Sequence, residues 1–228
     1  MTIPDKRSDK VQGMFSQIAG HYDLMNRLMT VGQDTRWRRE VIRRAGLTPA
    51  SHLLDLGAGT GDLTRAALRQ QPGCQVVAAD FTLGMMQAGN QRGRLDWSAA
   101  DALHLPFPEA GFDVVVSGFL MRNVLDVRQA LQEQYRVLNS GGRIVILDTT
   151  HPRRNLLYPF LWLHLHLVIP FLGALITGQR EAYTYLPEST EKFLYAEQLA
   201  SAMQAVGFKN VAFRRRMFGT IAIHWGQK

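Results

Sequence analysis

The chain has 228 residues, 46% of them apolar, and a formal net charge of +7, which allows one sizeable core with local insertions and leaves little room for a second full domain. A lone cysteine, Cys74, excludes an internal disulfide framework, and the polar opening MTIPDKRSDK lacks the apolar stretch of a secretory signal, so a reducing cytoplasm is expected. The basic excess favours anionic partners, whether nucleic acid, an acidic membrane face or an acidic small molecule.

In KVQGMFSQIAGHYDLMNRLMTVGQDTRWRREVIRRAGL, apolar residues recur at mixed three- and four-residue spacing (Val11, Met14, Phe15, Ile18; then Trp37, Val41, Ile42), which predicts two or three short helices. From Ser51 the texture changes. SHLLDLGAGTGDL is a short apolar run ending in a glycine-rich turn, TRAALRQ a helix and QVVAADF a second buried strand, which together make a β-α-β unit. LGMMQAGNQR predicts a short helix, RLDWSAAD an irregular strand, FDVVVSGF a β-branched strand, VRQALQEQYRVL an amphipathic helix, SGG a turn and GRIVILDTT a further buried strand. This alternation predicts an α/β fold with a mostly parallel, doubly wound sheet. AEQLASAMQAVGF reads as a helix closed by Gly207, and KNVAFRRRMFGTIAIHWGQK as two strands joined at Gly219-Thr220, an antiparallel hairpin at the sheet edge. One domain, 1–228, is expected, with a helical lid over 1–46 and an apolar insertion over 151–192.

The stretch from Leu156 to Thr177 contains no Asp, Glu, Lys or Arg and has the length of a membrane span. A span would put the last fifty or so residues across the bilayer from the sheet they must complete, and Pro159 and Pro170 interrupt the run. A core helix is the plainer alternative, since Leu161, Leu165 and Val168 share one face. The expectation taken here is an insertion that roofs the substrate pocket and dips into an anionic membrane surface, with Arg153, Arg154 and Arg180 meeting lipid phosphates.

In a doubly wound sheet the ligand lies beyond the carboxyl ends of the strands, so the turn after Leu53-Leu54-Asp55 should meet a cofactor. Gly57, Gly59 and Gly61 let a nucleotide approach the backbone. Their spacing, G-x-G-x-G, departs from the dinucleotide fingerprint, and the following helix opens with Asp62, which would repel a pyrophosphate. Asp55 before the turn points the same way, towards a cofactor carrying positive charge such as S-adenosylmethionine. Asp80 ends the second strand, where it can accept from both ribose hydroxyls, and Asp101 ends the third, within reach of the adenine amino group. A tight turn with no ligand is the alternative for the glycines alone.

LDLGAGTGDL, VVAADF, AADALHLPFP, FDVVVSGF and RVLNSGGRIVIL together resemble a class I S-adenosylmethionine-dependent methyltransferase, implying a Rossmann-like sheet of seven strands. HYDLMNRLMTVGQDTRWRR, MRNV and YTYLPES are similar to the UbiE/MenG-type C-methyltransferases of ubiquinone and menaquinone biosynthesis, from about Phe15 to the C-terminus. The resemblance implies that Thr60, Asp80 with Phe81, Asp101 with Ala102, and Ser117 or Gly118 contact the cofactor, with Tyr22 in a lid above it. Leu120 stands where the family commonly has glycine, and His151 where it often has lysine.

The implied reaction is methylation of a ring carbon of a prenylated quinol, because a phenolate is nucleophilic at that carbon and the oxidised quinone is not. Arg122, always protonated, is assigned to stabilise the phenolate and Asn123 to hold the hydroxyl or a water. Tyr185 could bond a ring oxygen or pack the insertion, with Tyr183 and Ser189 nearby. Asp148, as a solitary strand-end carboxylate, could be a base or structural. His151, His164 and His166 favour structural roles, Arg214-Arg215-Arg216 a solvated edge, and no metal is implied. Competing functions are methylation of another lipid or aromatic acceptor such as a phospholipid amine, and a cofactor-binding protein that has lost catalysis. No basic and aromatic interleaving or NPPY-type tetrapeptide supports a nucleic-acid substrate. The protein is expected in the cytoplasm against the inner face of the membrane, and a homodimer is left open.

Overall fold

The computed structural model describes residues 6–151 and 189–228, together with 163, 167 and 168. Three N-terminal helices, α1 (Lys6–Ile18), α2 (Tyr22–Met29) and α3 (Asp34–Ala45), precede the alternating part. That part runs β1 (His52–Leu56), α4 (Asp62–Gln70), β2 (Gln75–Asp80), α5 (Leu83–Asn90), β3 (Trp97–Ala99), β4 (Phe112–Gly118), α6 (Val127–Val137) and β5 (Leu138–Thr149). Helix α7 (Ala196–Val206) then leads into β6 (Lys209–Arg216) and β7 (Ile221–Gln227).

The strands form a seven-stranded sheet in the order β3-β2-β1-β4-β5-β7-β6. β1 to β5 pair in parallel, and β7 lies antiparallel to both β5 and β6. Period-2 alternation splits each central strand between two cores. Leu54, Leu56, Val115, Ile144 and Ile146 face α6 and α7 through Leu131, Leu199 and Met203. Leu53, Val114, Val116, Val145 and Leu147 face α3 and α4 through Trp37, Val41, Leu63 and Ala67. Both faces are thus covered, which explains why the central strands read as unbroken apolar runs.

Two expectations change. The SGG turn does not separate α6 from its strand: β5 already begins at Leu138, and the glycines form an irregularity in its pairing with β4. Gly141 takes φ 77° and donates its N–H to the carbonyl of Lys228, so the C-terminal strand completes what a turn would have left open. The lid over 1–46 also divides. α3 buries Trp37, Val41, Ile42 and Ala45 in the second core, leaving α1, α2 and the turn between them above the site. The Leu156–Thr177 stretch lies outside the described residues except for Leu163, Leu167 and Val168, all exposed. Among the described residues no helix is long and apolar enough to cross a membrane.

Candidate active site

The carboxyl ends of β1 to β4 open on one cleft. It is lined by the glycine turn (Gly57, Gly59), the end of β2 (Asp80, Phe81, Thr82), the segment after β3 (Asp101, Ala102, Leu103), the segment after β4 (Phe119, Leu120, Asn123 to Leu125) and the lid (Phe15, Tyr22).

Gly57 has φ 67°, and a Cβ there would lie 2.8 Å from Leu120 Cδ1. Leu120 therefore packs its side chain onto bare backbone beside the site. Gly57→Ala should cost about 1–2 kcal/mol from the left-handed backbone alone, with further cost from the clash. Adding Leu120→Ala should recover only a fraction of the second part, since the Leu120 Cβ that remains lies 3.0 Å from the new Cβ, as read by urea unfolding.

Asp80 clamps the turn: Oδ2 accepts the Gly59 N–H at 2.7 Å and Oδ1 the Thr82 N–H at 2.7 Å. Burial pushes its carboxyl up against the pull of these donors. Asp101 Oδ1 accepts from the Leu103 N–H while the carboxylate stays exposed. Phe81, Met85, Ala100, Ala102 and Leu103 form an apolar lining near these two acids. Among the described residues this cleft has two carboxylates and no Lys or Arg, a lining that repels a pyrophosphate and attracts a cation.

A smaller chamber continues beneath the turn, lined by Tyr22, Arg38, Asp55, Thr60 and Gly118 among others. Asp55 Oδ2 accepts the N–H and hydroxyl of Thr64, tying β1 to α4. Among the described residues its Oδ1 is buried without a partner, as is Ser117 Oγ. Burial pushes the Asp55 carboxyl up to about 6. An unmatched buried carboxylate oxygen in this chamber suits the ammonium or sulfonium of S-adenosylmethionine.

Asp62 corrects the sequence-based argument. It is bound by Arg92 at 2.8 Å and approached by Arg38 at 3.6 Å, so its charge is matched locally and Asp80 with Asp101 sets the sign of the cleft. Thr60 spends its hydroxyl on Asp23 of α2 at 2.7 Å, and Arg92 binds the same carboxylate. Helix α2 is therefore tied to the glycine turn through Asp23, a residue the sequence did not single out. Tyr22 lines the cleft, and burial raises the pKa of its hydroxyl.

After β4, Phe119 adopts φ 61° and Asn123 donates its side-chain N–H to the Phe119 carbonyl at 2.9 Å. Asp148 is not solitary. Its Oδ1 accepts from Arg122 Nη1 at 2.7 Å and its Oδ2 from the Arg122 N–H at 3.3 Å, with side chains 5% and 1% exposed. Arg122 is absent from the cleft lining, which includes its neighbours Leu120 and Asn123. Its guanidinium is neutralised by Asp148, while Nε is buried with no acceptor among the described residues. Tyr185 lies outside the described residues. Ser189 is buried, and His151 stacks on Tyr195 and bonds the Phe193 carbonyl, a structural role. Phe15, Thr82, Met85, Leu103, Val124 and Leu125 line the site without having been singled out; several follow a strand end directly, which was the available signal.

Two buried groups oppose each other in pH dependence. Asp55 rises from 3.8 to about 6, so the stability it contributes is present below 3.8 and lost as pH rises through 6. His224, desolvated in β7, falls from 6.5 to about 4, so its contribution is present above 6.5 and lost as pH falls through 4. The two slopes cancel in part. Asp55→Asn should leave a protein whose stability rises steadily from pH 4 to 6.5, measurable by thermal unfolding across that window.

Fold, cationic-cofactor cleft and the unmatched Asp55 oxygen define a class I S-adenosylmethionine-dependent methyltransferase. Residues 3–228 match the ubiE/COQ5 methyltransferase family, and the chain belongs to it. It is 46% identical over 221 residues to the ubiquinone/menaquinone biosynthesis C-methyltransferase UbiE of Desulfotalea psychrophila, covering 96% of this chain and 90% of that one. It is 42% identical over 220 residues to the demethylmenaquinone methyltransferase of Thermus thermophilus, covering 94% and 100%. The crystal structure of the [4+2]-cyclase SpnF superposes with a TM-score of 0.70 at 17% identity, over 100% of this chain and 97% of that one, a likeness of fold alone.

Proposed function

We propose that the protein transfers a methyl group from S-adenosylmethionine to a ring carbon of a reduced, prenylated quinone precursor, a demethylmenaquinol or a ubiquinol precursor. Membership of the ubiE/COQ5 family across nearly the whole chain carries this reading. A cleft that is anionic on the cofactor side and largely apolar along Phe119–Leu125 supports it. The relatives' names support carbon methylation in quinone biosynthesis and give no support to a phospholipid amine as acceptor.

The cofactor, when bound, supplies an electrophilic methyl. The protein's part is to hold the ring carbon in line, exclude water and steady the phenolate that makes the carbon nucleophilic. Asp80, Asp101 and Asp55 hold the cofactor side. Phe15 and Tyr22 close the cleft from the lid. Asn123 is the polar group on the acceptor wall and holds the ring hydroxyl, while Arg122, braced by Asp148, fixes the turn that carries it. Tyr185 contributes a hydrogen bond to a ring oxygen from the insertion.

The insertion over 151–192 passes the prenyl tail from bilayer to cleft, at the inner face of the membrane. Exposure of Leu163, Leu167 and Val168 supports a lipid-facing role over a core helix. The test is incubation with labelled S-adenosylmethionine and, separately, reduced demethylmenaquinone, a demethylated ubiquinol precursor or phosphatidylethanolamine. Label is expected in a quinol; label in neither quinol defeats the assignment.

A further inference from the structure

Next to the chamber beneath the glycine turn, a broad cleft runs between α3 and α4. Eight arginines line it against two carboxylates, Glu40 and Asp62. Those carboxylates are already engaged, Asp62 by Arg38 and Arg92 and Glu40 by Arg216. Arg27, Arg36, Arg39, Arg43 and Arg69 make no ion pair among the described residues, and all five are exposed. Arg36, Arg39 and Arg43 fall on one face of α3, where like charges three and four residues apart repel. Such an array is costly unless an anion meets it.

The same corner of the molecule exposes an apolar ridge. Leu24 and Leu28 on α2 and Val31 just beyond it are 50%, 41% and 76% exposed; the two leucines stand one turn apart on the helix, and Val31 follows at its exit, in a left-handed backbone conformation. Arg27 lies within the ridge and Arg36 five residues past its end, so chain connectivity holds apolar and basic groups together. A leucine ridge bordered by arginines matches the chemistry of a bilayer interface, where apolar side chains enter the acyl boundary and guanidinium groups meet phosphates. Nucleic acid would use the charge but not the ridge, and Trp37, the aromatic residue in the cleft, is buried and offers no stacking face.

We propose that the α2–α3 corner is a docking surface for an anionic phospholipid bilayer, with Leu24, Leu28 and Val31 inserted and Arg27, Arg36, Arg39 and Arg43 on the phosphates. This deepens the membrane reading above and rests on it. The surface belongs to the lid: Tyr22 of α2 lines the active-site cleft, and Arg38 with Asp62 borders both the basic cleft and the chamber beneath the cofactor turn. Docking on this corner brings the lid, and with it the entrance for a prenylated substrate, to the lipid surface.

The protein is tested by co-sedimentation with phosphatidylcholine vesicles containing none or about a third phosphatidylglycerol, enough to give a negative surface potential that attracts basic side chains. Two variants are compared, Arg36→Gln/Arg39→Gln/Arg43→Gln and Leu28→Ser/Val31→Ser. Both alter exposed groups; both should keep the wild-type S-adenosylhomocysteine affinity and melt no lower than wild type, the arginine variant somewhat higher because its like charges no longer repel. Each is expected to bind the anionic vesicles at least about tenfold more weakly, with wild-type turnover on a short-chain quinol in detergent. Vesicle binding equal to wild type in both variants overturns the surface while leaving the membrane reading in place, to be tested by Leu161→Asp/Leu165→Asp in the insertion. Wild-type protein that ignores anionic vesicles overturns both. Loss of binding in the arginine variant alone, with equal binding of wild type to polyglutamate, replaces the bilayer with an acidic macromolecule and also overturns the proposal.

Discussion

Arg122→Ala is expected to destabilise the fold by about 3–5 kcal/mol, because it leaves the Asp148 carboxylate buried and uncompensated. Asp148 is 1% exposed and takes both the guanidinium and the backbone N–H of Arg122, so truncation costs the ion pair and loosens the turn that presents Asn123. Turnover should fall by more than the unfolded fraction explains, with S-adenosylhomocysteine affinity nearly unchanged, since Arg122 does not line the cofactor cleft. Arg122→Met/Asp148→Leu separates the two effects. Removing both charges should restore most of the stability, as replacement of a buried pair by apolar side chains often does, without restoring turnover. Urea unfolding and single-turnover kinetics on all three proteins measure this. Wild-type turnover in folded Arg122→Ala would remove the turn from the mechanism.

Asp80→Ala is expected to weaken S-adenosylhomocysteine binding about 100-fold, equivalent to about 3 kcal/mol. Its carboxylate accepts from Gly59 and Thr82 at 2.7 Å each, and hydrogen bonds to charged groups contribute about 1.5–3 kcal/mol apiece. Without it the glycine turn loses its tie to β2 before any contact with ribose is counted. Asp80→Asn, which keeps one carbonyl acceptor but turns a donor towards the other N–H, should fall between. Isothermal titration reads both; affinity within about threefold of wild type in Asp80→Ala would show that the turn is held by other means.

Much of the fold was legible in the sequence. The apolar runs at β1, β2, β4 and β5 are buried on two faces and therefore need no alternation, and the glycine turn, Asp80 and Asp101 stand at strand ends where a doubly wound sheet leaves its crevice. The SGG segment misled because glycine signals a turn locally, whereas the irregularity in β5 is completed by Lys228 from the far end of the chain. Asp62 misled for a related reason. A carboxylate at a helix start repels phosphate only when unpaired, and its partners Arg38 and Arg92 come from α3 and the turn after α5.

The sequence by itself determined the order of elements and placed the glycine turn with Asp80 and Asp101 at one cleft, because strand periodicity, glycine spacing and strand ends are local properties of the chain. Tertiary structure alone decided what each charge is worth. Asp148 ceased to be a free base candidate once Arg122, 26 residues away, closed on it. Asp23 became a latch through Thr60 and Arg92, and arginines from four elements collected in one cleft beside an apolar ridge. Side-chain charge acts through space over a few ångströms, and those distances exist only after the chain has folded.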